Sequence, residues 1–578
     1  MRIQRDLLIL CSFCALLAAP LAAAPLRPTH APHAIVTSVH ELASRAGIEM
    51  LHSGGNAVDA AVATGFALAV VHPQAGNLGG GGFLLLRSAN GKTHFVDFRE
   101  KAPAAATEDM YLDAQGNVLP ESNKNSSVVG YRSVGVPGSV AGLVYAEKQY
   151  GKLSIEKVMA PAIKLARDGF PLAYEDAQDL KNDEYLAEFP ESKHIFLRDG
   201  NYYQPGELLK QPELARTLER IAKDPDDFYH GAMARELAAA IHKGGGLVTA
   251  ADLAAYEVKE REPIRGSYRG YDIISAPPPS SGGVALVEIL NILEGFDLAK
   301  LGNRSADAIH LEAEAFRRTF YDRADFMGDP DFAKVPVAQL IDKKYAAAWR
   351  ESVELNHASL SKDLKRPTFA ELERVAQSRT TAIREPENTT HLSVVDAEGN
   401  AVSVTTTLND SFGSRVTAEG LGFLLNDEMD DFAAKQGVPN AYGLIQGPAN
   451  AIGPGKRPLS AMTPTIVLKD GKLFLVLGSP GGPTIITTVA NVLIGVVDLS
   501  LDIQEAVNAP RFHHQWLPDE ILVEDRLSPD TMKVLRSKGH KLKVEHSWGD
   551  GECIMVDPKT GERLGASDGR NNGKAVGY

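Results

Sequence analysis

Residues 389–413 read TTHLSVVDAEGNAVSVTTTLNDSFG, and the reading of this stretch decides the fold. Two β-rich runs, HLSVVD and AVSVTTTL, flank turn residues Ala397 to Asn400, which predicts a hairpin. Loop length sets its register. A three-residue loop, Ala397 to Gly399, puts Thr389 opposite Thr407, whereas a four-residue loop puts Thr390 there instead. In the first register two threonine hydroxyls face each other. β-Propensity alone accounts for Thr405, Thr406 and Thr407, so the hairpin carries chemistry only together with its neighbours.

Downstream, the short runs PTIVLKD, KLFLVLG and CIMVD alternate with helical segments at Thr484 to Val497 and Pro529 to Lys538, favouring sheets covered by helices. Upstream, the charged, helix-poor RTTAIREPENTT marks a boundary near residue 388. Residues from about 140 to 380 read as mostly helical scaffold, broken by APPPSSGG at Ala276 to Gly283. Ala34 to Val71 runs through helical spacing, interrupted at Gly54-Gly55 and stopped by Pro73. The glycines from Gly79 to Gly82 then lead into FLLLRSANGKTHFVDFRE, a hairpin that turns at Asn90-Gly91 and delivers Arg99 at its far end.

At 578 residues the chain exceeds what one hydrophobic core fills, so more than one packed layer is expected. Sixty Lys and Arg against 74 Asp and Glu leave a net charge of -14, which argues against nucleic acid and against an anionic membrane surface as partners. Residues 1–24 read as a signal peptide: Arg2 and Arg5, an apolar stretch from Leu7 to Leu21, then an A-x-A site at Ala22 to Ala24. The expected product is periplasmic or secreted and starts at Pro25. Cys11 and Cys14 would leave with that signal, so Cys553 alone remains and no internal disulfide is expected.

Thr389-Thr390-His391, GNAVSVTTTLND and SFG resemble the signature of the γ-glutamyltranspeptidase family. The likeness spans nearly the whole mature chain, through GGNAVDAAVA, DFREKAP, SVGVPGSVAG, NDEMDDF, PNAYGL, GKRPLSAMTP and GSPGGPTIITT. It implies an α+β amino-terminal-nucleophile hydrolase with a four-layer αββα sandwich, made as one precursor. The implied cut between Asn388 and Thr389 gives a large subunit, 25–388, and a small catalytic subunit, 389–578, which stay together as a heterodimer. Cutting frees an α-amino group on the nucleophile, and an amine of pKa about 7.7 to 8.0 can serve as its base near neutral pH.

By the same resemblance Thr407 assists Thr389, Asn409 lines the site on the same strand, and Gly481 and Gly482 form an oxyanion hole. A γ-glutamyl group exposes an α-carboxylate and an α-ammonium; Arg99 suits the first, Glu428 and Asp431 the second. Ser460 is expected on the carboxylate, with Ala461 where a second serine is expected and water or Thr463 as possible substitutes. Tyr442 is expected to gate a covering loop. No cofactor and no metal are expected, since adjacent His513 and His514 point to opposite faces of a strand with no second cluster beside them.

The implied substrates are glutathione and other γ-glutamyl compounds, with water, amino acids or dipeptides as acceptors. Two other readings stand beside this one: a β-lactam side-chain acylase of the same family, and a periplasmic binding protein that captures γ-glutamyl peptides and stays uncut. The formal nucleophile elbow Gly565-Ala566-Ser567-Asp568-Gly569 lacks a following helix and a downstream histidine. Gly79 to Gly82 lack a dinucleotide fingerprint and read as a packing or turn element.

Overall fold

The computed structural model describes residues 27–368, 389–438, 440 and 443–578. The expected signal peptide, Asn388 and Tyr442 lie outside the described residues. The strands that build the centre are, in chain order, β1 (Thr29–Ala31), β2 (Ile35–Ser38), β3 (Gly81–Arg87), β4 (Thr93–Phe98), β5 (Lys259–Arg261), β6 (Ile264–Tyr268) and β7 (Tyr271–Ser275). Beyond residue 388 follow β8 (Thr390–Val395), β9 (Ala401–Thr407), β10 (Thr465–Lys469), β11 (Lys472–Leu477), β12 (Cys553–Val556), β13 (Arg563–Ala566) and β14 (Lys574–Gly577).

They form two seven-stranded sheets with every neighbouring pair antiparallel. The first runs β14-β2-β8-β9-β3-β4-β5 and the second β1-β13-β12-β11-β10-β7-β6. Each sheet draws strands from both sides of residue 388. In the first, β2 lies between β14 and β8, an upstream strand clamped by two downstream ones.

Helices cover both outer faces. The main ones are α1 (Glu41–His52), α2 (Ala57–Val71), α3 (Ser139–Tyr150), α4 (Gly282–Leu293), α5 (Ala306–Phe326) and α6 (Thr484–Val497). Because side chains alternate along a strand, Leu84, Leu86, Val96, Leu392, Val394, Val402 and Val404 pack outward in one cluster with α1, α2 and α3. The intervening Phe83, Leu85, Phe95, Val395 and Ala401 meet Ile274, Ile466, Val476 and Ile554 between the sheets. On the far side Ile273, Val467, Leu475 and Leu477 pack with α4, α5 and α6. These three apolar interfaces make the αββα sandwich. Helix α2 is buried along all fifteen residues, as its alanine-rich sequence requires.

One sequence expectation is corrected here. Helical spacing was expected from Ala34, but Ile35–Ser38 is strand β2 and the first described helix starts at Glu41. The described part of residues 140–380 is mostly helical as expected, and it also supplies β5, β6 and β7, which edge both sheets. The helices expected at Thr484 to Val497 and Pro529 to Lys538 occur at Thr484–Val497 and Pro529–Ser537.

Candidate active site

The hairpin adopts the three-residue loop. Thr390 pairs with Thr406 and Val395 with Ala401, and Asp396 N donates to Asn400 O at 3.1 Å. Gly399 takes a φ of 89°, the left-handed conformation that closes such a loop. In this register Thr389 stands opposite Thr407, and their Oγ1 atoms lie 3.1 Å apart. Thr407 Oγ1 also accepts the Asn409 N–H at 2.9 Å. Asn409 is not on the strand: it lies two residues beyond the end of β9, with a φ of 85°.

His391 offers no competing base. Its ring is fully buried, with Nδ1 2.9 Å from Thr405 Oγ1 and Nε2 3.1 Å from Ser393 Oγ. Burial lowers it to about 3, so it is neutral at physiological pH.

Arg99 leaves the end of β4 and is buried with Glu100 and Glu428, beside a half-buried Asp431. Its Nη1 meets Glu428 and, at 3.4 Å, Glu100, while Nη2 meets Asp431. Glu428 and Asp431 sit on a single 3₁₀ turn, Glu428–Asp431, so one turn presents both carboxylates. Burial opposes the charge on Arg99, but Glu428, Asp431 and Glu100 outweigh it and raise the guanidinium above its ordinary value. Burial, against the pull of Arg99, pushes the Glu100 carboxyl up to about 7 and the Glu428 carboxyl well above its usual range. The groups assigned by sequence to opposite ends of a substrate therefore hold one another in one place.

One cleft gathers most of the expected residues: Arg99, Thr389, Thr407, Asn409, Glu428, Asp431, Ser460 and Gly482 all line it, along with Arg323 and Ala461. Gly481 sits one residue behind Gly482 at the start of α6. It takes a φ of 130°, where a Cβ would stand 2.5 Å from Thr484 Oγ1, and Gly482 takes a φ of 51°. Both conformations favour glycine. Among the described residues no acceptor takes either N–H. Ser460 is fixed through its backbone, which donates to Pro279 O at 2.9 Å and accepts from Ser281 N at 2.8 Å. Thr463 is not among the lining residues, and its hydroxyl donates to Ala461 O at 2.8 Å.

Arg323 is the charged lining residue that the sequence did not reveal. It lies on α5 in EAEAFRRTFYDRADF, where Arg317 and Arg318 look equivalent to it in the sequence. Arg318 is spent on Glu314 and Arg317 on Asp519 and Ser361, whereas Arg323 turns to the cleft. The Gly79–Gly82 cluster packs as expected, with a Cβ on Gly80 falling 1.9 Å from Thr407 O. Ser567 of the formal elbow gives its hydroxyl to Glu552 at 2.6 Å. The sequence also missed a histidine cluster: His310, Glu314 and His540 bring ligand-type atoms within 4.8 Å of one another. They are already hydrogen bonded, His310 Nδ1 to His540 Nε2 at 2.8 Å and Glu314 to Arg318 at 2.6 Å.

A nucleophile-type threonine with a second hydroxyl at hydrogen-bond distance, facing a cation and two carboxylates, can carry out acyl transfer on a small zwitterionic group. Comparison with known proteins agrees with that chemistry. Residues 43–578 match the family model described as gamma-glutamyltranspeptidase. The chain is 51% identical over 547 residues to a glutathione hydrolase proenzyme of Escherichia coli (strain K12), covering 94% of this chain and 91% of that one. It is 48% identical over 569 residues to a glutathione hydrolase proenzyme of Pseudomonas sp. (strain A14), covering 96% of each. A cephalosporin acylase from Bacillus halodurans superposes with a TM-score of 0.82 at 27% identity, over 97% of this chain and 98% of that one. With a match over nearly all of the described fold, the chain belongs to the γ-glutamyltranspeptidase family.

Proposed function

We propose that this chain is a γ-glutamyltransferase and glutathione hydrolase that cuts itself between Asn388 and Thr389 and then uses Thr389 as its nucleophile. The observation that carries the reading is the 3.1 Å contact of Thr389 with Thr407 in the cleft that also holds Arg99, Glu428 and Asp431. In the cutting step Thr389 Oγ1 attacks the Asn388 carbonyl, the peptide C–N bond breaks, and water hydrolyses the resulting ester. The freed α-amine then takes the Thr389 hydroxyl proton as Oγ1 attacks the γ-glutamyl amide. That proton passes to the departing amine as the C–N bond breaks. Water or the amine of an amino acid or dipeptide resolves the γ-glutamyl ester.

Asn409, Ser460 and Arg99 belong to donor binding on this reading, and Glu428 and Asp431 take the α-ammonium. The N–H groups of Gly481 and Gly482 receive the developing oxyanion at the start of α6. Tyr442 gates the cleft. Residues 25–388 and 389–578 form the two subunits of the mature enzyme, delivered to the periplasm or beyond by residues 1–24. Among the described residues no helix is long and apolar enough to cross a membrane.

The test is intact-mass analysis of wild type beside Thr389→Ala, with a chromogenic γ-glutamyl anilide assay on both. Two chains with activity in the wild type, and one inactive chain in the variant, support the reading. A single wild-type chain that releases no anilide rejects it in favour of a binding protein. Release of a cephalosporin side chain without release of the γ-glutamyl anilide points instead to the acylase.

A further inference from the structure

Arg99 has little left to offer an incoming carboxylate. Its Nε donates to Pro458 O at 3.2 Å, Nη1 is held by Glu428 and Glu100, and Nη2 is held by Asp431 and by Leu459 O at 3.3 Å. The cleft contains a second guanidinium in the opposite condition. Arg323 is 3% exposed, and among the described residues it makes one side-chain hydrogen bond, from Nε to Ser281 Oγ at 2.8 Å. Ser281 is itself anchored, its Oγ donating to Ser460 O at 2.7 Å. A guanidinium has five donors, so the four on Nη1 and Nη2 stand without an acceptor among the described residues.

Asp431 lines the same cleft and acts on Arg323 through space without closing an ion pair. Burial lowers the guanidinium to about 10, with Asp431 working against the shift, and the side chain remains charged at neutral pH. A buried cation with so few partners is costly unless an anion arrives. Beside it Ala461 offers no hydroxyl, and Thr463 does not line the cleft. We infer that Arg323 is a binding residue for the α-carboxylate of the donor, supplying from α5 the charge-assisted hydrogen bonds that position 461 lacks. The inference rests on the γ-glutamyl reading of the cleft, and it makes carboxylate recognition the work of two arginines of unequal freedom.

Its test compares two anilides, the γ-glutamyl donor and its 4-aminobutanoyl analogue, which lacks only the α-carboxylate. KM and kcat are measured for wild type, Arg323→Gln and Arg323→Lys, each first checked for cutting by intact mass and for folding by circular dichroism. Arg323→Gln raises KM for the γ-glutamyl donor about 10- to 100-fold, the worth of one hydrogen bond to a charged group. It leaves the analogue unchanged, so the preference for the carboxylate-bearing donor falls by the same factor. Arg323→Lys, which keeps the charge without the planar fork, restores part of the preference. Equal losses on both donors, or none on either, overturn the inference. Should Arg323→Gln stay uncut, Arg323→Lys decides alone: an unchanged preference overturns the inference and a reduced one supports it. A wild type that cleaves neither anilide removes the γ-glutamyl reading itself, a result distinct from any behaviour of the variants.

Discussion

At the scale of single residues the proposed chemistry depends on a pair of hydroxyls rather than on a histidine. Thr407 Oγ1 lies 3.1 Å from Thr389 Oγ1 and accepts the Asn409 N–H at 2.9 Å, so one oxygen joins Thr389 to the loop that follows β9. Thr407→Val keeps the shape and removes that oxygen. On the proposed reading it slows cutting and lowers kcat about 10- to 100-fold, the worth of one strong hydrogen bond in the transition state. KM changes little, and Thr407→Ser recovers most of the loss. Time courses of the two-chain fraction together with steady-state kinetics check this, and an unaltered kcat in the valine variant removes Thr407 from the machinery.

At the scale of elements, close backbone approach holds the hairpin in place. Gly80 enters β3 with its carbonyl accepting from Gly138 N at 2.7 Å, and a Cβ there would sit 1.9 Å from Thr407 O. Gly91 at the β3–β4 turn has a φ of 88° and open space around it. Gly80→Ala therefore displaces the end of β9, costs about 1 to 3 kcal/mol and impairs cutting. Gly91→Ala costs about 1 kcal/mol of backbone strain and leaves cutting intact. Chemical denaturation and intact mass separate the two outcomes. Loop length narrowed the register of β8 on β9 to two without choosing between them, and the structure takes the three-residue loop; Arg99 was legible because a turn signal sits between two strand runs. Strand β2 was hidden because Ile35–Ser38 is too short to interrupt a helical period. Strands β5 to β7 were hidden because sheet membership is set by partners far away in the chain. Arg323 was hidden for another reason: its helix carries several arginines, and only packing decides which one lacks a partner.

At the scale of the whole molecule both sheets are woven from the two sides of residue 388. Strand β2 is held between β14 and β8, and β3 is bonded to β9 along its whole length. Subunits cut at Asn388-Thr389 are expected to elute as one species on size exclusion and to part only in denaturant. Separate elution under native conditions contradicts the interleaving. The same weave gives the cut a direction in time. An uncut Thr389→Ala chain that is unfolded by heat keeps both halves on one tether and can retrace its path. On the proposed reading the cut enzyme, once its strands let go, releases two chains into solution, each carrying fragments of both sheets with bare edges open to wrong partners. Its durability is then a lifetime set by the unfolding barrier rather than an equilibrium, and heat inactivation runs one way.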